Sequence, residues 1–545
     1  MRSISLGLLS AALGFAVAVA GGARAEAADC SALAKLALTD TSIVSATPEP
    51  AGDFKAPAEF GPGPEQTVRL PAHCRVQGVL KPTPDSEIAF EVWLPAEGWN
   101  GRFQGVGNGG FAGAIGYSGL IDGVQRGYAV ASTDTGHRAG GTDAQWAFGH
   151  PEKLADFGWR AIHLTAVVGK QLTAAFYGQA PRHAYFASCS NGGRQGLMEA
   201  QRFPDDYDGI IAGAPAYDWS GLFLDFLWNV KALSAPGAAI PAAKTPAIAA
   251  AVLASCDKLD GIADGLVSDP RRCRFDPEIL RCRSDDSNTC LTGPQIAALR
   301  AIYQGPHTSS GRQLYVGFPP GGETAPGFPN WDAWIFGGPN GSVENAFMSN
   351  FMKYAVGKGQ AWSVASFDFD RDVAAMKTAM SPVLDATDPD LTRFARRGGK
   401  LILYHGWSDG GIPAQGTIAY YDRLAETMGS AKARGFTRLF MVPGMHHCGG
   451  GTGPSDFGGR SAPVLPRNPA TDLSAAIEAW VEEGRAPEQV VARQVSGPPG
   501  APPSPGPVRT GLICAYPNVA VLKPGGAVND AASYQCALLR RVATR

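Results

Sequence analysis

Tyr185-Phe186-Ala187-Ser188-Cys189-Ser190-Asn191-Gly192-Gly193 passes from an apolar run into a cluster of small residues. Residues 184–187 read as a short buried strand and residues 193–202 as a helix. A serine at such a turn is in the setting of a nucleophile elbow, where the hydroxyl is held out on a sharp bend and only small neighbours fit. The common pattern is G-x-S-x-G. Gly192 fits it, whereas Ser188 stands where the first glycine belongs. On spacing alone, an ordinary Ser/Gly turn is the competing reading.

Outward from this turn, strands and helices alternate. Ile88, Phe90, Val92 and Leu94 share one face of a predicted strand over residues 87–94. Residues 401–404 and 439–442 read as two further buried strands. Residues 471–483 read as an amphipathic helix with Leu473, Ile477, Trp480 and Val481 on one stripe and Thr471 or Asp472 as its cap. Strands alternating with helices at both ends of the chain imply an α/β sheet. From about residue 217 to residue 388 strand signals are sparse and Gly, Pro, Trp and Asp abound, which reads as a large insertion. Residues 498–507 form a Pro/Gly loop, and Cys514 and Cys536 bracket a segment expected to staple back onto the core.

Two downstream runs add to the elbow. Tyr404-His405-Gly406-Trp407-Ser408-Asp409 places an acid just past a strand. Pro443-Gly444-Met445-His446-His447-Cys448 places a histidine just past the next one. Triad partners of an elbow serine follow in the order Ser, acid, His. Either partner alone reads as a turn or structural residue; both in order after an elbow do not. If Cys189 and Cys448 pair, their Cα atoms lie about 5–6 Å apart and Ser190 and His447 are held within reach of each other. That pairing favours His447 over His446.

The 545 residues exceed one ordinary domain, and the net charge of -2 gives no basic footprint for nucleic acid or for a membrane surface. Arg2, the apolar run of residues 4–20 and Ala23-Arg24-Ala25 read as a signal peptide cleaved after Ala25. No later stretch is long and apolar enough to span a bilayer. Ten cysteines in an exported chain suggest five disulfides, with connectivity open at this point. No Cys-x-x-Cys or Cys/His cluster offers a zinc site.

Gly107-Asn108-Gly109-Gly110-Phe111-Ala112-Gly113, Cys189-Ser190-Asn191-Gly192-Gly193, Arg202-Phe203-Pro204 with Tyr207-Asp208-Gly209, His405-Gly406-Trp407-Ser408-Asp409, and Pro443-Gly444-Met445 with His447-Cys448 together resemble the tannase and feruloyl esterase family. The resemblance covers nearly all of the chain after residue 25. It implies an α/β-hydrolase fold formed by residues 26–216 and 389–545, with residues 217–388 as an inserted lid domain. It implies a triad of Ser190, Asp409 and His447 and accounts for Ser188 through the family's Cys-Ser-x-Gly-Gly elbow. The oxyanion donors fall on the N–H groups of Asn191 and Gly110; the glycines lack the Gly-Lys-Ser/Thr of a phosphate loop. The implied bridges are Cys189–Cys448, Cys30–Cys74, Cys256–Cys273, Cys282–Cys290 and Cys514–Cys536.

Residues 256–266, Cys-Asp-Lys-Leu-Asp-Gly-Ile-Ala-Asp-Gly-Leu, gather acids around tight turns, which suits a hard cation. The resemblance implies a structural Ca²⁺ held by the carboxylates of Asp257, Asp260 and Asp264 and the carbonyls of Ile262 and Leu266. Trp331, Trp334, Phe336, Phe347, Phe351 and Tyr354 are candidate pocket aromatics, and Trp334 matches a lid tryptophan of relatives. No arginine lies between Arg312 and Arg371, so a substrate carboxylate lacks a bidentate partner there. The expected activity is therefore hydrolysis of small aromatic esters of the feruloyl type, free or attached to polysaccharide or polyphenol, by a secreted or periplasmic enzyme with no nucleic-acid or membrane partner. Tannase action on galloyl esters, terephthalate monoester hydrolysis, and a calcium-stabilised binding protein on an inactive scaffold are the alternatives.

Overall fold

Alternating apolar residues at positions 88–94 form one strand of a large sheet. A computed structural model describes residues 29–57, 66–323, 331–337, 341–458, 467–494 and 508–538. The expected signal peptide and the Pro/Gly loop at 498–507 lie outside the described residues. The sheet has nine strands: β1 (Thr41–Glu49), β2 (His73–Leu80), β3 (Ile88–Pro95), β4 (Arg102–Val106), β5 (Ala129–Thr133), β6 (His183–Cys189), β7 (Gly209–Gly213), β8 (Lys400–Gly406) and β9 (Thr437–Val442). Their spatial order is β1-β2-β3-β5-β4-β6-β7-β8-β9. The first three pairings are antiparallel and the remaining five are parallel. β5 and β7 are buried along their whole length, as strands covered on both faces should be.

Helices cover both faces. Ala161–Tyr177 packs on β5, β4 and β3, and Leu473–Glu483 packs on β7 and β8. The latter begins where its cap was expected: Asp472 accepts a hydrogen bond from the Ser474 N–H at 2.9 Å. Leu473, Ile477 and Trp480 of its predicted stripe are buried. Near the C-terminus, the strand Thr510–Cys514 pairs with Gln489–Arg493. Tyr516 N–H then donates to the Leu439 carbonyl of β9 at 2.7 Å, which ties the segment between Cys514 and Cys536 to the sheet.

Between β7 and β8 no strand occurs among the described residues; the segment is built from helices, including Trp219–Leu233, Thr245–Cys256, Gly293–Gln304, Val343–Asn350 and Val373–Leu384. Its two ends meet. Ala386 N–H donates to the Tyr217 carbonyl at 2.7 Å, and Ser220 donates to Asp385 from its N–H at 2.9 Å and its hydroxyl at 2.6 Å. All five disulfides implied by the resemblance are closed, with Cα separations of 4.9–5.8 Å.

Candidate active site

The crowding at the end of β6 explains its residue types. Ser190 links β6 to the helix Asn191–Arg202 with φ +67° and ψ −127°, a region costly for a residue with a Cβ. Its N–H is fixed by the Gly213 carbonyl at 3.0 Å and its carbonyl by the Ala216 N–H at 3.2 Å. A Cβ on Gly192 would lie 1.9 Å from the Ser188 hydroxyl and 3.2 Å from the Asn108 carbonyl. Only glycine fits at 192, and the Gly-rich turn after β4 is pressed against the elbow.

Asp409 lies just past β8 and His447 just past β9, neighbouring strands in parallel register. The structure brings both to Ser190. His447 Nε2 is 2.9 Å from Ser190 Oγ, and His447 Nδ1 is 2.9 Å from Asp409 Oδ2. His446 faces elsewhere: it is buried, and neither ring nitrogen has a hydrogen-bond partner among the described residues. Cys189 and Cys448, the chain neighbours of Ser190 and His447, are bonded with Cα atoms 5.8 Å apart.

Asp409 is fully buried and heavily hydrogen-bonded. Its Oδ1 accepts from the N–H groups of Gly411 at 2.8 Å and Ile412 at 2.9 Å, and its Oδ2 from His405 Nε2 at 3.1 Å. Burial alone would raise this carboxyl. The charge on His447 and the bonds from His405 and His447 instead hold it well below the usual carboxylate range. The sequence reading gave His405 no role. Its ring is fixed in turn by the Thr417 hydroxyl at 2.7 Å from Nδ1. The signal was its place in the run ending at Asp409.

The two residues expected to supply oxyanion donors lie on two turns, Asn191 on the elbow and Gly110 on the Gly-rich turn after β4. Asn191 opens the helix Asn191–Arg202, and the first N–H groups of a helix have no partner within it. Gly110 has φ +55°, and a Cβ there would lie 2.4 Å from the Gly141 carbonyl. Asn108 braces the turn: its N–H donates to Gln195 Oε1 at 3.0 Å, and its side-chain amide donates to the carbonyls of Ala114 and Thr133 at 2.9 and 2.7 Å. Gln195 is a second residue that sequence reasoning passed over.

Of the six candidate aromatics, Trp334 reaches the site. Its ring centroid is 5.3 Å from that of His447, edge to face, and it stacks on Phe347. Phe347 also meets Phe111, the residue after Gly110, at 5.2 Å. Trp331 and Phe336 pack together among Tyr303 and Phe318, in the helical segment's own core. Phe351 is buried on Phe223, and Tyr354 lies against Phe148. A hydroxyl bonded to an imidazole that is bonded to a buried carboxylate can pass its proton to the ring as it attacks a carbonyl carbon.

Residues 74–537 match the family described as tannase and feruloyl esterase. The chain belongs to that family. An uncharacterized esterase of Xanthomonas campestris pv. campestris is 43% identical over 541 residues, covering 94% of this chain and 92% of that protein. A probable feruloyl esterase B-2 of Aspergillus flavus is 37% identical, covering 78% of this chain and 81% of that protein. The crystal structure of feruloyl esterase B from Aspergillus oryzae superposes with a TM-score of 0.83 at 30% identity, covering 93% of this chain and 99% of that chain. This member of the family is an ester hydrolase. Among the described residues, no helix is long and apolar enough to cross a membrane.

Proposed function

We propose that this protein is a secreted serine esterase of the α/β-hydrolase type that cleaves aromatic esters of the hydroxycinnamate class through an acyl-enzyme. The observation that carries the reading is the continuous hydrogen-bonded chain from Ser190 through His447 to Asp409 on an elbow with positive φ. His447 takes the proton from Ser190 as the hydroxyl attacks the ester carbonyl, then returns it to the departing alcohol. Asp409 holds the imidazole and stabilises its charged form. The N–H groups of Asn191 and Gly110 receive the oxyanion, each contributing roughly 3–4 kcal/mol to lowering the barrier. The helical segment of residues 217–388 acts as the lid, and Trp334 forms a wall of the acyl pocket beside His447. The absence of arginine between Arg312 and Arg371 favours a neutral acyl ring over a terephthalate monoester.

The test is a hydrolysis panel of methyl ferulate, methyl gallate, a terephthalate monoester and a short p-nitrophenyl ester, run beside fluorophosphonate labelling. Methyl ferulate should have the highest kcat/KM. Preference for methyl gallate would make the protein a tannase. Failure of all four with no label on Ser190 would leave a binding protein on a hydrolase scaffold.

Calcium is the second part of the proposal. Asp257, Asp260 and Asp264 sit on one loop, closed by the Cys256–Cys273 bridge. Burial raises the Asp264 carboxyl; Arg509 opposes this, and the charges of Asp260 and Asp257 reinforce it. Oxygen donors on one disulfide-closed loop suit a hard cation. Here the three carboxylates accept from the N–H groups of Ile262, Asp264, Gly265 and Leu266 and from the Ser268 hydroxyl. The three carboxylates and the carbonyls of Ile262 and Leu266 would hold it, with Arg509 bonded to Asp264 Oδ2 at 2.5 Å as an outer partner. The ion would brace the loop. Chelation should lower Tm while leaving the rate constant of the folded enzyme nearly unchanged, because an ion that binds only the native state stabilises by mass action. An unchanged Tm, with no calcium found by elemental analysis, would remove the site.

The Cys189–Cys448 bridge should act on rate as well as stability. A disulfide stabilises by roughly 2–4 kcal/mol, but this one also joins the neighbours of nucleophile and base. A shift of about 1 Å can cost on the order of a hundredfold in rate. Replacing Cys189 and Cys448 by Ala should therefore lower turnover even far below Tm, whereas the same change at Cys514 and Cys536 should lower Tm alone. Full cold activity in the first variant would reduce the bridge to a staple.

A further inference from the structure

Arg194 lies one turn into the helix that starts at the elbow, and it is wholly buried. Among the described residues it forms no ion pair, which is costly for a cation removed from water. Burial pushes its guanidinium down to about 9, against the opposing charge of Asp385, so the group stays protonated at neutral pH. Its hydrogen bonds all go to uncharged oxygens. Nε donates to Asn191 Oδ1 at 2.8 Å, Nη1 to the carbonyls of Gly158 at 2.8 Å and Leu384 at 3.1 Å, and Nη2 to the Phe157 carbonyl at 3.2 Å. The guanidinium also lies over the rings of Phe157 and Trp219, at 4.9 and 5.0 Å. Both rings pack on Phe111, at 6.3 and 5.8 Å, and Phe111 follows Gly110.

One cation thus reaches both sides of the oxyanion site from behind. We propose that Arg194 is a positioning residue that holds Asn191 through its side chain and the Gly110–Phe111 turn through Phe157 and Trp219. This rests on the reading of Ser190 as the nucleophile. A guanidinium whose only task was to staple the helical segment to the sheet would need the Gly158 and Leu384 contacts but not the one to Asn191.

The experiment compares R194K, R194M and N191A by kcat, KM and the Ki of phenylboronic acid, which binds a reactive serine as a tetrahedral anion. N191A keeps the backbone N–H and removes only the link to Arg194. The expected results are a loss in kcat of about tenfold for N191A and about a hundredfold for R194M, with R194K between them. KM should stay within about twofold, and Ki should rise in step with the loss of kcat. The N191A/R194M pair should be no worse than R194M, since both break one link. Arg194 variants that melt lower but keep the wild-type kcat and boronate Ki overturn the proposal. Should they fail to fold, N191A decides: wild-type kcat and Ki in that variant also overturn it. Fluorophosphonate labelling of the wild type separates the two readings. An unlabelled Ser190 removes the nucleophile and this proposal together, whereas a labelled Ser190 with unaffected variants removes this proposal alone.

Discussion

Ser190→Ala should fold normally and lose kcat by a factor on the order of a million, the scale at which loss of a serine nucleophile acts elsewhere. Alanine keeps the Cβ, so the strain of φ +67° is the same before and after. The lost side-chain contact is the 2.9 Å bond to His447 Nε2. The elbow's own backbone bonds to Gly213 and Ala216 are untouched. Tm should therefore stay near the wild-type value while hydrolysis and fluorophosphonate labelling vanish. Turnover within about tenfold of wild type would place the nucleophile elsewhere.

Asp409→Asn should cost about 10⁴-fold in kcat through the tautomer of His447. The two carboxylate oxygens are not equivalent. Oδ1 accepts from the N–H groups of Gly411 and Ile412, so the amide oxygen must remain there, although it also lies 3.1 Å from His447 Nδ1. The amide nitrogen then takes the place of Oδ2, 2.9 Å from His447 Nδ1. As a donor it makes Nδ1 an acceptor and moves the ring proton to Nε2, aimed at Ser190. The base is then already protonated at the nitrogen that must accept a proton. The introduced nitrogen also opposes His405 Nε2, which donates to the carboxylate, so some loss of stability should accompany the loss of rate. Rate loss should fall on kcat with KM little changed. Near-normal turnover in a well-folded variant would mean that another group orients the imidazole.

Ser190, Asp409 and His447 could be picked out as a set because each lies in a short run beside a strand end and their order restricts the choice; the structure brings them into hydrogen-bond contact. Four of the nine strands, β3, β6, β8 and β9, were legible for a similar reason, as apolar runs or alternations; β1 (TSIVSATPE) and β4 (RFQGV) carry polar residues that hide them. The residues that brace the site were not legible. Arg194 reads as an ordinary polar helix residue, and its partner Leu384 is 190 positions away. His405 has its neighbours supplied by the turn at Ile412 and by Thr417. The helices between β7 and β8 were also hard to read. Thr245–Cys256 is nearly uniform in small apolar residues, so no stripe separates its buried Ile248 and Val252 from its outer face. Trp334 was chosen by its match to relatives; its position against His447 depends on how the whole segment folds back.

The meeting of Tyr217 with Ala386, and of Ser220 with Asp385, bears on how such proteins diversify. A segment that leaves and re-enters the sheet domain through one hydrogen-bonded neck asks little of its host. Loop-closure entropy grows only slowly with length, so lengthening or shortening such a segment perturbs the host fold weakly. Ser190, Asp409 and His447 stay on strand ends outside the neck, and Trp334, which meets His447, comes from inside it. Change in that segment can therefore proceed with little effect on the sheet, except at Trp219 and Leu384, which lie inside the neck and yet touch Arg194 of the elbow helix.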